Sequence, residues 1–381
     1  MLGLILALGC SGAGSDAARG GLTLQLTDLP PGTEPPIYVA GGFNGWNPRS
    51  EAHRLAEREG RYSIVLPEAS GAVEFKFTRG SWSTVEVDSV GNDVPNRVVE
   101  VPDTGGAYTM SVARWKDPCE WPLPGSTATA SVSVLECRFE MPQLGRARRV
   151  WLYLPPDYES TDRRYPVLYM HDGQNVFDAA TGYAGEWGVD EALDTLHAAG
   201  DPGVIVVAVD NGQELRADEY IPWRNPEIGG GGEGAAYVAF LVETLKPYID
   251  AHYRTRPGRL DTGVAGSSLG GLISLYAGLE HPDVFGRIGV FSPAFWTAPS
   301  MFDLAAEATL PAGTRVYMVT GGREGDRADA YAGDHRRMAE LLGAIAEPGA
   351  EIEAVIRPAG THSERFWRGE FPAAYRWLFA R

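Results

Sequence analysis

The stretch Gly266-Ser267-Ser268-Leu269-Gly270 sets a serine inside a G-x-S-x-G pattern, between the apolar run "DTGVAG" and the helical run "LGGLISLYAGLEHP". Small residues on both sides allow a tight turn from strand to helix and a close approach of the two elements. Ser268, not Ser267, is presented by such a turn. The pentapeptide is weak by itself in a chain with 47 glycines, and its flanking strand and amphipathic helix supply the context that gives it meaning. A serine hydroxyl is a poor nucleophile near neutral pH. It needs a base within hydrogen-bond reach and a third group that fixes the tautomer of the base.

Seven histidines are available. His53 lies in a β-rich N-terminal region, and His197, His252, His281 and His335 fall within or at the ends of helical patterns, where a surface or internally satisfied imidazole is the default. His171 and His362 remain. His362 sits in "RPAGTHSERFW" after the last apolar run, where the chain order nucleophile, acid, histidine requires the base. The acid belongs between them, just after a strand. In "RVYMVTGGREGDRADAY" Glu324 comes first, Asp326 stands in reserve and Asp329 lies close behind. A tetrahedral intermediate needs backbone N–H donors. Leu269, directly after the nucleophile, is one, and "YMHDGQNVFD" offers Gly173 and Gln174 as the source of the other, with His171 and Asp172 read as loop-shaping. This chemistry is acyl transfer through a serine ester. It calls for no metal or organic cofactor, and no H-E-x-x-H or paired-cysteine spacing suggests otherwise.

Such residues must be carried on strand ends. The runs "VLYMHDG", "GVIVVAVDNG", "DTGVAG", "GRIGVFSP", "RVYMVTGG" and "IEAVIRP" alternate with helical stretches such as "GAAYVAFLVETLKPYIDAHY". Continuous apolar strands separated by helices predict an α/β fold, a mainly parallel sheet covered on both faces, over residues 131–381. Reactive groups then collect beyond the carboxyl ends of the strands. Residues 21–115 differ: "PPIYVAGGF", "GRYSIVLP", "AVEFKFTRGSW", "NRVVEV" and "AYTMSVARW" alternate with turn clusters, the pattern of a small Ig-like β-sandwich. Between them, residues 116–130, "KDPCEWPLPGSTATA", read as an extended linker.

The chain of 381 residues carries 33 basic against 50 acidic side chains, a formal charge of −17. With no Lys/Arg-rich block to neutralise phosphates, nucleic acid is excluded as the expected partner. Residues 1–20 begin with an apolar run too short to span a bilayer that ends at Cys10. This reads as a lipoprotein-type signal with lipidation at Cys10, although residues 1–9 contain no basic residue; an ordinary cleaved signal is the alternative. Either implies export, to the cell envelope, periplasm or exterior, and membrane contact through a lipid anchor only. In that oxidising setting Cys119 and Cys137 form an even pair, and a disulfide between them would staple the domain junction; two unrelated thiols are the plainer reading.

The segments "VLYMHDGQNVFD", "GSSLGGLISLYAGLEHPDVFG", "SPAFW" and "GTHSERFW" resemble the esterase family of α/β-hydrolases that includes feruloyl esterases, S-formylglutathione hydrolase, enterochelin esterases and mycolyltransferases. The resemblance covers Ser131 to Arg381 and implies the α/β-hydrolase fold and the triad Ser268, Glu324 and His362, although members often have Asp as the acid. It also draws attention to "VDNGQELRADEY". There Arg216 is either a substrate contact or the holder of the loop through an Arg–Glu pair with Glu219, beside Tyr220. Trp296 of "SPAFW" is similar to a tryptophan near the family's acyl pocket, and packing is its alternative role. From Pro36 to Val101 the chain looks like the starch/glycogen-binding module of amylolytic enzymes and of the β-subunit of AMP-activated kinase. That likeness puts Trp46, Lys76, Trp82 and Asn96 at sugar-contacting positions, whereas a tryptophan in a small β domain is more often core. The expected activity is hydrolysis of a carboxylic ester, carbohydrate-linked and of acetyl or feruloyl type. Siderophore-ester hydrolysis, transfer to an acceptor other than water, and a non-catalytic glucan-binding lipoprotein are the alternatives.

Overall fold

A computed structural model describes residues 21–58, 60–117 and 119–379. Cys10 and the rest of the N-terminal signal lie outside these residues. The chain divides into two compact units, Met1–Asp117 and Pro118–Arg381.

In the first unit, the strands Leu22–Asp28, Ala56–Arg58, Arg61–Leu66 and Gly106–Ser111 form one sheet, and Tyr38–Gly41, Gly71–Thr78 and Arg97–Val101 form a second. Alternation explains the packing. Val73, Phe75 and Phe77 point inward to join Leu22, Leu24 and Leu26 of the other sheet in a single core, while Glu74 and Lys76 face away from it. The strand that the turn-bounded pattern passed over, Leu22–Asp28, is central: it pairs antiparallel with Arg61–Leu66 and parallel with Gly106–Ser111.

The second unit is built on an eight-stranded sheet. In chain order its strands are β1 (Val132–Met141), β2 (Arg146–Tyr153), β3 (Val167–His171), β4 (Ile205–Val209), β5 (Thr262–Ser267), β6 (Arg287–Phe291), β7 (Arg315–Arg323) and β8 (Glu351–Thr361). Their spatial order is β1-β2-β4-β3-β5-β6-β7-β8. All neighbours from β4 onward are parallel, whereas β1–β2 and β2–β4 are antiparallel. The expected mostly parallel α/β sheet is therefore present, and the six apolar runs are its strands β3 to β8. The hairpin β1–β2 went unread because β1 lies at the sheet edge and alternates buried with exposed residues.

Four helices matter to the site: α1 (Val189–Ala198), α2 (Leu269–Glu280), α3 (Ala328–Ile345) and α4 (Glu364–Phe379). Helix α2 departs from the amphipathic expectation, since every residue from Gly270 to Leu279 is buried. It lies against β5 and β6 on one side and is covered by neighbouring helices on the other, so no polar face is required.

Residues from Cys119 onward belong to the second unit, which corrects the extended-linker reading. Asp178 accepts hydrogen bonds from Trp121 Nε1 (2.7 Å), Ser126 Oγ (2.6 Å) and Thr127 N (3.1 Å), and Asp190 accepts one from Thr129 N (2.7 Å). Polar groups that suit a solvated linker are equally able to satisfy buried carboxylates. Cys119 and Cys137 are joined by a disulfide that closes a loop within this unit. It fastens the segment to β1 instead of joining the two units.

Candidate active site

Strand β5 delivers Ser268 into a turn that ordinary residues avoid. Its backbone sits at φ 58°, ψ −119°, as the N-cap of α2. A positive φ at a residue with a Cβ is strained and persists only where surrounding bonds over-determine it. Here the Ser268 N–H donates to Phe291 O (2.9 Å), and its carbonyl accepts from Leu272 N (3.0 Å) and Ala294 N (3.1 Å). Close packing enforces the glycine before it: a Cβ on Gly266 would stand 2.9 Å from the Gly270 carbonyl and from His171 Cδ2.

His362 follows β8 and precedes α4. Its Nδ1–H donates to Glu324 Oε2 at 2.5 Å. Glu324 lies just past β7 and is 5 % exposed; its Oε1 accepts from Ser292 Oγ (2.6 Å) and Gly321 N (2.7 Å). Burial pushes the carboxyl pKa up, but the hydrogen bonds from His362, Ser292 and Gly321 outweigh burial and hold it below the ordinary Glu value. Asp326 and Asp329 are exposed, so burial and geometry single out Glu324 as the partner of His362. The loop needs glycine at 321, where a Cβ would meet Gly360 O at 2.4 Å across the β7–β8 pair.

The loop after β3 runs against the Ser268 turn. A Cβ on Gly270 would sit 3.1 Å from Asp172 Oδ2 and 3.3 Å from His171 Cβ. Gly173 and Gln174 open the short 3-10 turn Gly173–Asn175, as Leu269 opens α2. Helix-opening N–H groups have no acceptor within their own helix, which suits them to an oxyanion. Asp172 and His171 shape this loop. Asp172, in the left-handed region at φ 57°, accepts a bidentate pair from Arg216 (2.6 and 2.8 Å) and one bond from Asn211 Nδ2 (2.7 Å). His171 Nδ1 pairs with Tyr237 Oη at 2.9 Å.

The expected Arg216–Glu219 pair does not form. Arg216 holds Asp172, while the fully buried Glu219 is bound by Arg146 (2.9 Å) and Arg148. Their i,i+3 spacing would allow the pair, but each side chain is taken by a partner on another element, Arg216 by Asp172 and Glu219 by Arg146 and Arg148. Tyr220 contributes its hydroxyl oxygen to the Asp172 N–H at 3.1 Å.

Sequence reasoning missed three residues. Ser292 and Trp367 complete the support of the acid: Trp367 Nε1 donates to Ser292 Oγ (2.9 Å), and its ring meets the His362 ring edge-on at 5.1 Å. Tyr331, on α3, lies 5.2 Å ring to ring from His362 and accepts from Trp296 Nε1 (3.2 Å). Trp296 also carries the Arg327 guanidinium over its ring at 4.3 Å. Ser292 and Trp367 lie in the quoted segments "SPAFW" and "GTHSERFW", where Trp296 and His362 carry the expected roles, and Tyr331 sits in a helical pattern with no local mark.

Comparison with known proteins agrees with this architecture. The family described as "Putative esterase" matches residues 142–378. The chain belongs to that esterase family. Its members' chemistry, hydrolysis of carboxylic esters, is the chemistry for which this site is equipped. Among relatives, YbbA of Bacillus subtilis, a protein of uncharacterised function, is 25% identical over 61% of this chain and 93% of its own length. The iron(III) enterobactin esterase of Dickeya dadantii is 31% identical over 65% of this chain, which spans 55% of that protein. An alpha-amylase of Niallia circulans is 44% identical over 92 residues, 23% of this chain and 7% of the amylase. Among solved structures, the enterobactin esterase FES of Shigella flexneri shares the fold at a TM-score of 0.51 and 17% identity, covering 94% of this chain and 92% of its own.

In the first unit, the four residues expected to contact sugar, Trp46, Lys76, Trp82 and Asn96, lie outside its core. Trp46 and Trp82 are partly exposed, absent from the buried cluster, and 6.4 Å apart ring to ring, inclined by 39°. Trp46 N donates to Gly41 O, and Gly41 pairs with Phe75, next to Lys76. Asn96 immediately precedes Arg97, the register partner of Phe75, and donates to Glu74 Oε2 at 3.4 Å.

Proposed function

We propose that this esterase works through Ser268, His362 and Glu324. The observation that carries the reading is the placement of all three just past the carboxyl ends of parallel strands of one sheet, Ser268 after β5, Glu324 after β7 and His362 after β8, with the buried Glu324 carboxylate bound to His362 Nδ1. With Nδ1 tied to the acid, Nε2 is left to take the Ser268 proton as Oγ attacks the ester carbonyl. The N–H groups of Leu269 and of Gly173 or Gln174 receive the oxyanion. His362 then protonates the leaving alcohol, and water repeats the sequence on the acyl-enzyme. Trp296 borders the acyl side.

The substrate proposed is a carbohydrate-linked ester. The paired, partly exposed Trp46 and Trp82 with Lys76 and Asn96 support sugar binding, since indole faces stack on pyranose rings while amide and ammonium groups meet hydroxyls. The similarity to an alpha-amylase over 92 residues points the same way. A second reading, siderophore-ester hydrolysis, is favoured by the 31% identity to an enterobactin esterase.

The test is release of p-nitrophenol from acetate and longer acyl esters, with feruloyl-sugar esters and enterobactin as competing natural substrates. Wild type is expected to turn over, and Ser268→Ala to lose activity and labelling by a fluorophosphonate probe. Equal labelling of both proteins would reject Ser268 as the nucleophile.

A further inference from the structure

We infer that Arg216 is a positioning residue for the oxyanion site: its bidentate hold on Asp172 fixes the turn that carries the N–H groups of Gly173 and Gln174. The inference rests on the proposed oxyanion role of those N–H groups. Asp172 directly precedes Gly173, so its ψ sets the plane of the peptide that carries the Gly173 N–H. It sits in the left-handed region at φ 57°, ψ 47°, which a residue with a Cβ holds only where its surroundings over-determine it. Those surroundings come from the segment after β4, from Asn211 to Tyr220. Arg216 Nε and Nη2 donate to the two carboxylate oxygens of Asp172 at 2.6 and 2.8 Å, and Asn211 Nδ2 donates to Oδ1 at 2.7 Å. Tyr220 Oη accepts the Asp172 N–H at 3.1 Å. Beyond the glycine, Asn211 N donates to Gln174 Oε1 at 3.1 Å. One segment therefore grips the residue on either side of Gly173. The glycine itself is pressed on the end of β4, where a Cβ would stand 2.8 Å from Val209 C and 2.9 Å from Asp210 N.

The grip is stiff because the segment has its own anchor. Glu219, three residues beyond Arg216, is buried and bound by Arg146 (2.9 Å) and Arg148 of β2. The Tyr220 ring lies 5.0 Å from that of Tyr237, whose hydroxyl pairs with His171 Nδ1 at the end of β3. Burial pushes the Asp172 carboxyl pKa up, but the Arg216 charge and the hydrogen bonds from Arg216 and Asn211 outweigh burial and hold it below the ordinary Asp value, so the pair is ionic. A substrate contact would compete for the same atoms. A guanidinium takes a carboxylate through one edge of its fork, and here the Nε–Nη2 edge is given to Asp172 while the group lies over the Tyr220 ring at 5.2 Å. Full negative charge on the substrate oxygen develops only as the tetrahedral intermediate forms, so a displaced donor costs turnover and spares substrate affinity.

The experiment compares full-length Arg216→Met, Arg216→Lys, Asp172→Asn and the double variant Arg216→Met with Asp172→Asn in p-nitrophenyl acetate hydrolysis. Two inhibitors accompany it: phenylboronic acid, whose serine adduct puts a boron-bound oxygen where the oxyanion forms, and p-nitroacetanilide, a ground-state mimic. Arg216→Met is expected to lower kcat about ten- to a hundredfold, with phenylboronate affinity falling in parallel and with KM and p-nitroacetanilide affinity within about twofold of wild type. Arg216→Lys, a point charge without the fork, should recover only part of the loss. Asp172→Asn should resemble Arg216→Met, and the double variant should be no worse than either, since both break one link. A raised KM at unchanged kcat would overturn the inference and make Arg216 a substrate contact. Losses that multiply in the double variant would overturn it as well, and so would a lower thermal midpoint with kcat per folded molecule unchanged. A wild type that phenylboronate fails to inhibit, or an active Ser268→Ala, would instead reject the serine chemistry on which the inference rests.

Discussion

Glu324, the acid of the proposed triad, is where a single side chain carries most consequence. Glu324 is held by three donors and has its negative charge secured by a depressed pKa. Glu324→Gln keeps the size but offers His362 Nδ1 an amide that can select the wrong tautomer. It is expected to lower kcat by about 10³- to 10⁴-fold with little change in KM, by analogy with the Asp-to-Asn change in serine proteases. Asp326→Asn, on an exposed residue one turn away, should be near neutral. If the two variants were equally impaired in p-nitrophenyl ester assays, the choice of acid would be wrong. The choice was legible in sequence only as the first carboxyl after a strand; burial decided it.

Among the elements, the segment leading into β1 behaves as part of the sheet domain. The Cys119–Cys137 disulfide spans 18 positions in sequence, and the entropic account assigns such a closure about 3 kcal/mol. Cys137→Ser should lower the thermal midpoint of the second unit's transition, and a reductant should do the same to wild type while leaving the variant unmoved. An unshifted midpoint in both would mean that the bonds from Trp121, Ser126, Thr127 and Thr129 to Asp178 and Asp190 suffice. Proline and small polar residues gave this stretch the look of a linker. What they could not reveal were the buried carboxylates of Asp178 and Asp190, placed far along the chain, that needed its donors.

At the scale of the whole molecule, acid should weaken the second unit through its interior histidines. Burial lowers the pKa of His171 to about 4, with Asp172 and Arg216 beside it and Tyr237 on Nδ1. The pKa of His335, paired with Thr320, falls to about 4 for the same reason. Both rings stay neutral in the fold yet take a proton near 6.5 once unfolded, so unfolding binds protons and stability drops as pH falls from about 6.5 towards 4. Glu324 acts in the same direction at lower pH, losing its contribution as pH falls through its depressed pKa. Asp190, raised to about 7 by burial, opposes them. The His335→Asn variant isolates one contribution: its midpoint should fall less than that of wild type between pH 7 and pH 5, and parallel falls would count against the buried imidazole. In the first unit, isothermal titration of the full chain with maltoheptaose should give heat that Trp46→Ala and Trp82→Ala abolish. No heat from wild type at millimolar sugar would remove glucan from the proposal.

By itself the sequence determined the parallel sheet, the strand-end location of Ser268 and the late histidine. Continuous apolar runs and a glycine-framed turn are local properties, readable wherever period and spacing are preserved. Tertiary structure decided what depended on distant partners. It chose Glu324 over Asp326 by burial and gave Arg216 to Asp172 instead of Glu219. It buried α2 all round, it set Ser292 and Trp367 behind Glu324 and His362, and it brought Tyr331 to the His362 ring from a helix that nothing in its own neighbourhood announced. A hydrogen bond or a desolvated charge exists only between residues the fold has already brought together, and that information is not local.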